Sequence, residues 1–213
     1  MNEFQFRTKL DQTLLLGIKA KNAEELLEGI RVVPKSSIYY HTHRFLQQHH
    51  YLSPEPPNDF AYWISEVVND ALLGEKLSSI DIVQFHSIGD LRKRLEELIT
   101  SHLAAVENTV DCPRGEEFHF MASQTFAFSV PYVAHDLSEF RDILQRVSIA
   151  SIYYHMFDAT LRLEAGENDF SKWFRALGKS QLAEEVKRVD PYTHTLEGLR
   201  KRILVMVKKH DTH

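Results

Sequence analysis

Two histidines, His41 and His155, close the same five residues, SIYYH, at Ser37–His41 and again at Ser151–His155. An imidazole changes charge near neutral pH, so it can act as a general base, a ligand contact or a neutral hydrogen-bonding group in a core. On a helix Ile38, His41, Phe45 and Leu52 share one stripe, and Ile152, His155 and Ala159 share another, so both rings are predicted to point inward. The plainer reading is a buried neutral imidazole bonded to a carbonyl or a tyrosine hydroxyl. The sharper reading is a pair of related pockets, one lined by Tyr40, His41, Trp63 and His86, the other by Tyr154, His155, Trp173 and His194.

Two acids belong with these groups. Asp59 and Asp169 stand in NDF, at Asn58–Phe60 and Asn168–Phe170. Asn or Asp at that point is a plausible N-cap for a helix carrying Phe60, Trp63, Ile64, Val67 and Ala71, and the two aspartates are the first acidic candidates for a site. Trp63 and Trp173 read most simply as core, and less simply as stacking platforms for a sugar or base. His86 and His194 each precede a predicted N-cap, Ser87 or Thr195, where free N–H groups could help hold an anion or phosphate. The triplets Arg92-Lys93-Arg94 and Arg200-Lys201-Arg202 follow, and are expected on a solvated helix face.

The first half also carries His43, His49 and His50. Helical metal ligands sit three or four residues apart. His41 to His49 is eight and His43 to His50 is seven, a separation of about 10–12 Å along a helix, so neither pair can hold one ion. No metal site is assigned, and a metal-dependent hydrolase ranks last among the readings. No glycine-rich phosphate loop, GxSxG elbow, HExxH or Cys–His nucleophile pattern occurs. The catalytic residues and the cofactor are left unassigned.

The elements that must position these groups come in two copies. At an offset of 114 residues, EFQF (Glu3–Phe6) matches EFHF (Glu117–Phe120); at 110, NDFAYWI matches NDFSKWF; at 108, HSIGDLRKR matches HTLEGLRKR. One collinear order with small indels reads as a tandem duplication, with units at residues 1–110 and 111–213 sharing one core. Each unit opens on alternating apolar residues: Phe4, Phe6, Leu14, Leu16 and Ile18, or Phe118, Phe120, Phe126, Phe128 and Val130. Period two predicts strands, with a four-stranded sheet across both halves as the expectation. A capped helix follows, with Asn22 and Glu25, or Asp136 and Glu139, at capping-box spacing. Then come the SIYYH helix, broken off by Pro34 in the first copy, the NDF helix and a last helix through Leu91 and Leu95, or Leu199 and Ile203. The expected class is α+β and mainly helical, a strand plus three or four helices twice over, packed about a pseudo-twofold axis.

Twenty-five basic against 30 acidic residues give a net charge of −5, which argues against a nucleic-acid partner. No apolar run is long enough to cross a bilayer. A single cysteine, Cys112, and no leader pattern at the start lead to the expectation of a cytoplasmic protein without disulfides. A homodimer is compatible with this size.

EFHF, SIYYH, NDFSKWF and VDPYTHTLEGLRKR, in that order, resemble an uncharacterised prokaryotic family catalogued as a domain of unknown function of about this length. The second copy fits that pattern better than the first, whose QQHHYLSPEPP insert departs from it. The resemblance implies no activity, cofactor or site residue. The leading functional expectation is a noncatalytic regulatory or adaptor protein. The alternative is a binding protein or enzyme for an anionic, phosphorylated or sugar-like small molecule.

Overall fold

A computed structural model describes residues 3–48, 58–159, 167–189 and 194–211. The chain is α+β and mainly helical. β1 (Phe4–Ala20) is followed by α1 (Ala23–Val32), α2 (Lys35–Gln48), α3 (Asp59–Glu66), α4 (Ala71–Ser78), a short 3-10 turn (Ile82–Gln84) and α5 (Ile88–Leu103). β2 (Phe118–Ala134) opens the second half. It leads into α6 (Leu137–Leu144), α7 (Ile149–Tyr153) with a π-helical continuation (Tyr154–Asp158), α8 (Asp169–Ala176), α9 (Ser180–Lys187) and α10 (Leu196–His210).

Among the described residues the sheet has two strands, not four. The two alternating stretches expected in each half are one continuous 17-residue strand. Gln5 reaches the Val130 and Tyr132 carbonyls with its side chain, and the Lys21 carbonyl takes the Cys112 N–H, so the strands run antiparallel. Among the described residues each strand is followed by five helices, one or two more than expected, because the single helix read from Phe60 to Ala71 is two. Asn69 turns the chain with φ +62°, and Asp70 caps α4 by accepting the Leu73 N–H at 3.0 Å. Gly178 at φ +77° ends α8, with Lys179 N–H on the Phe174 carbonyl and Gly178 N–H on that of Arg175, the left-handed closure that glycine permits.

The caps form at both predicted places, but each glutamate reaches one residue further back than in a reciprocal capping box. Glu25 N–H donates to the Asn22 side chain and Glu139 N–H to that of Asp136, while the two glutamates accept the N–H groups of Lys21 and His135. α2 begins just past Pro34. The second half lacks that proline yet breaks at the matching place, with Ser148 capping Ser151 at 3.2 Å.

The residues gather into two compact units. One, the His155 unit, takes Met1–Leu10, Leu46–Ser53 and Thr125–His213; the other, the His41 unit, takes Asp11–Phe45 and Pro54–Gln124. These are not the two chain halves. The start of β1 belongs with the second half's helices, and the start of β2 with the first half's. In the His155 unit Phe4 and Phe6 lie in a cluster with Phe140, Phe170 and Trp173. In the His41 unit Phe118 and Phe120 do the same with Phe60 and Trp63. Phe6, Phe120, Phe60 and Phe170 have no exposed surface. Aromatic burial on this scale dominates the stabilisation of small cores. Gly29 makes room for it: a Cβ there would lie 2.3 Å from the Phe120 ring.

Candidate functional site

The repeated motifs converge on one geometry, built once in each unit. Asn168 caps α8 by accepting the Ser171 N–H at 2.8 Å, which places Asp169 in the first turn of that helix. His155, 2% exposed, gives Nδ1 to the Asp169 carboxylate at 2.8 Å. Its Nε2 lies 2.8 Å from the backbone N–H of Arg7 on β1. A backbone N–H only donates, so Nε2 must be the accepting nitrogen and Nδ1 carries the proton. Ser151, one helical turn earlier, donates its hydroxyl to the carbonyl of the same Arg7 at 2.6 Å. Serine and histidine four residues apart share a helix face. SIYYH therefore grips both backbone groups of one strand residue.

The His41 unit repeats most of this. His41, 3% exposed, bonds Asp59 through Nδ1 at 2.8 Å and accepts the Met121 N–H at Nε2 at 2.9 Å. Asn58 caps α3 through the Ala61 N–H at 2.8 Å. Two details differ. Among the described residues the buried Ser37 hydroxyl has no hydrogen-bond partner, and the Asp59 side chain is 50% exposed against 19% for Asp169. His41 also lies in α2, whereas His155 lies in the π-helical turn.

The tyrosines divide their work. Tyr40 and Tyr154 stand edge-on to His41 and His155, with ring centres 4.9 and 5.1 Å away. Trp63 donates its indole N–H to the Glu116 carbonyl at 2.8 Å; it and Trp173 are 5% and 6% exposed. Tyr154, His155, Asp169 and Trp173 all line a cleft of about 630 Å³, together with Phe4, Gln5, Arg7 and Lys172. Of its acids, Asp169 is hydrogen-bonded to His155, and the exposed Glu3 lies 3.9 Å from His135. Arg7 and Lys172 are exposed and make no ion pair among the described residues. Neither cation was singled out by the sequence, because neither is kept between the halves: Met121 and Tyr62 stand at the matching positions.

His86 is exposed, His194 half-buried, and neither lines this cleft. Ser87 and Thr195 cap α5 and α10 as expected, through the Asp90 and Gly198 N–H groups. The basic triplets are not uniformly solvated. Arg200 is 9% exposed and donates to the carbonyls of Leu144, Gln145 and Val147 at 2.9–3.1 Å, closing the chain just past α6. Arg92 does the same after α1, on the Val33 carbonyl at 2.6 Å. Lys93, Arg94, Lys201 and Arg202 are exposed. His43 stacks on Tyr39 and bonds the Thr42 hydroxyl at 2.8 Å; His49, His50 and residues 53–57 lie outside the described residues. Among the described residues no three His, Cys, Asp or Glu side chains are grouped so as to hold a metal.

Residues 1–208 match the family of unknown function DUF5752. The chain belongs to that family. No curated protein matches it. Among solved structures, OrfY from Thermoproteus tenax is similar, with a TM-score of 0.82 and 27% identity over 100% of this chain and 97% of that one. This DUF5752 chain has no described helix long and apolar enough to cross a membrane.

Proposed function

We propose that this DUF5752 protein is a noncatalytic binding protein whose cleft in the His155 unit takes an anionic, ring-bearing small molecule such as a phosphorylated sugar or nucleotide. The observation that carries this is a pair of exposed cations at one cleft: Arg7 and Lys172 make no ion pair among the described residues, while the Asp169 carboxylate beside them is held by His155. Guanidinium groups suit phosphate because their donors match its oxygens. A noncatalytic role is supported by His155, whose two ring nitrogens are already bonded. A general base needs a nitrogen within reach of a substrate proton. The His41 unit is the weaker partner in this reading, since Met121 and Tyr62 stand where the repeat offsets place Arg7 and Lys172.

The test is a calorimetric titration with hexose phosphates and nucleotides, preceded by a thermal-shift screen, because a ligand of the native state raises its stability. Arg7→Ala removes the guanidinium and keeps the backbone N–H that His155 needs. Loss of a charged hydrogen bond is worth about 1.5–3 kcal/mol, so affinity should fall about 10- to 150-fold. If no phosphorylated compound shifts the melting temperature, the reading is wrong.

A regulatory or adaptor role has separate support. In the His155 unit Leu10, Phe126 and Phe128 are 62, 40 and 50% exposed, apolar area that suits a protein partner. Phe128→Ser would then abolish capture of that partner without changing the far-UV spectrum.

A further inference from the structure

The aromatic rings of the cleft in the His155 unit are walls, not platforms. Phe4, Tyr154 and Trp173 line it and are 7, 7 and 6% exposed. Trp173 lies nearly parallel to Phe140, with ring centres 5.4 Å apart and planes at 25°. Phe4 packs against Trp173 at 5.4 Å, and Tyr154 stands edge-on to His155 at 5.1 Å. A nucleobase held by stacking covers a whole ring face, and the stack strengthens binding about 5- to 150-fold per base. Rings this deeply buried have no free face to give it.

What the cleft presents to solvent is polar and of two kinds. Arg7 and Lys172 are exposed and make no ion pair among the described residues. Two positive charges match one phosphate monoester, which carries about −1.5 to −2 at neutral pH, and fall short of a nucleoside triphosphate. The second kind is Glu3, 65% exposed, whose one ion-pair neighbour among the described residues, His135, is 3.9 Å away. That is beyond the reach of a charge-assisted hydrogen bond, about 2.7–2.9 Å. A carboxylate only accepts, so Glu3 calls for a donor such as a hydroxyl. Gln5, between Glu3 and Arg7, spends its amide N–H groups on the Phe6, Val130 and Tyr132 carbonyls and adds no donor for phosphate. Arg7 lies four residues past Glu3, about 13 Å along an extended chain, so the carboxylate and the guanidinium serve different ends of a ligand.

Resting on the anion-binding reading of this cleft, we infer that its ligand is a sugar or polyol monophosphate and not a nucleotide: Arg7 and Lys172 hold the phosphate, and Glu3 accepts from the hydroxyls. A base would bring N–H groups to Glu3 but would lie there without a stacking partner.

The test is a calorimetric titration of the full chain with glucose, mannose and fructose 6-phosphates, with AMP, GMP and UMP, and with inorganic phosphate. At least one hexose phosphate should bind about tenfold or more tighter than every nucleotide and than inorganic phosphate. Glu3→Ala should weaken that hexose phosphate about tenfold or more, the loss of a hydrogen bond to a charged group. It should leave inorganic phosphate unchanged or tighter, since a negative charge has gone. Arg7→Ala should weaken both. Should Glu3→Ala lower the melting temperature, Glu3→Gln serves instead. A nucleotide or inorganic phosphate that matches the best hexose phosphate, or a Glu3 variant that loses no hexose-phosphate affinity, overturns the inference and leaves the anion site standing. Silence from every phosphate compound overturns the anion site as well.

Discussion

Replacing His155 by alanine should cost this protein about 3–5 kcal/mol of stability. The ring sits among Phe4, Phe6 and Phe170, with centres 4.9, 5.9 and 5.4 Å away, and its removal opens a hole in a packed cluster. Large-to-small changes in such places cost about 2–5 kcal/mol. The Arg7 N–H also loses its acceptor, which costs about 1–3 kcal/mol when the site stays dry. The two overlap in space and do not simply add. Arg7→Ala is the matched control: it keeps that N–H, the side chain is exposed, and stability should change by less than about 0.5 kcal/mol. His41→Ala should cost somewhat less than His155→Ala, because Asp59 is half exposed and water can replace the lost imidazole. Urea unfolding followed by far-UV circular dichroism measures all three, and ¹⁵N spectra of the wild type should show Nδ1 protonated and Nε2 bare. A loss below about 1 kcal/mol in His155→Ala, together with abolished ligand binding, would refute the reasoning and make the ring part of a site.

Two further outcomes follow from the same geometry. Arg200→Met keeps the buried stem but leaves the Leu144 and Val147 carbonyls without their cationic donor; it should lower stability by about 2–3 kcal/mol, with Arg200→Lys recovering part, as a thermal melt would show. Cys112 has its thiol pKa pushed up, first by burial and then by the nearby Glu117 and Asp111 carboxylates; a raised pKa means less thiolate at neutral pH, so alkylation should be slow at pH 7–8 and keep accelerating above the ordinary thiol range. Glu117→Gln should bring that rise to lower pH, read from iodoacetamide rates.

The sequence by itself determined the local pieces, because local pieces are written in nearest neighbours. Asn22, Asp136, Asn58, Asn168, Ser87 and Thr195 cap the helices they precede, as short polar side chains must where N–H groups are unsatisfied. Inward-facing His41 and His155 follow from helical periodicity, and the α+β class from the order of patterns. Legible too was that NDF is a cap, an acid and a core anchor in succession, though not that the acid would receive the histidine. Only the tertiary structure decided which helices each strand would meet. The strand starts at Phe4 and Phe118 carry the same apolar pattern, so either could pack with either set of helices at no local cost. The chain places each with the other half's helices. That choice brings Arg7 to His155 and Met121 to His41 over 148 and 80 residues, occupies the nitrogens that looked free for chemistry, and sets Arg7 at the edge of a cleft. The pair of Asp70 and His102 was silent for the same reason: the two lie 32 residues apart, in no shared motif, and only packing puts them 2.6 Å apart.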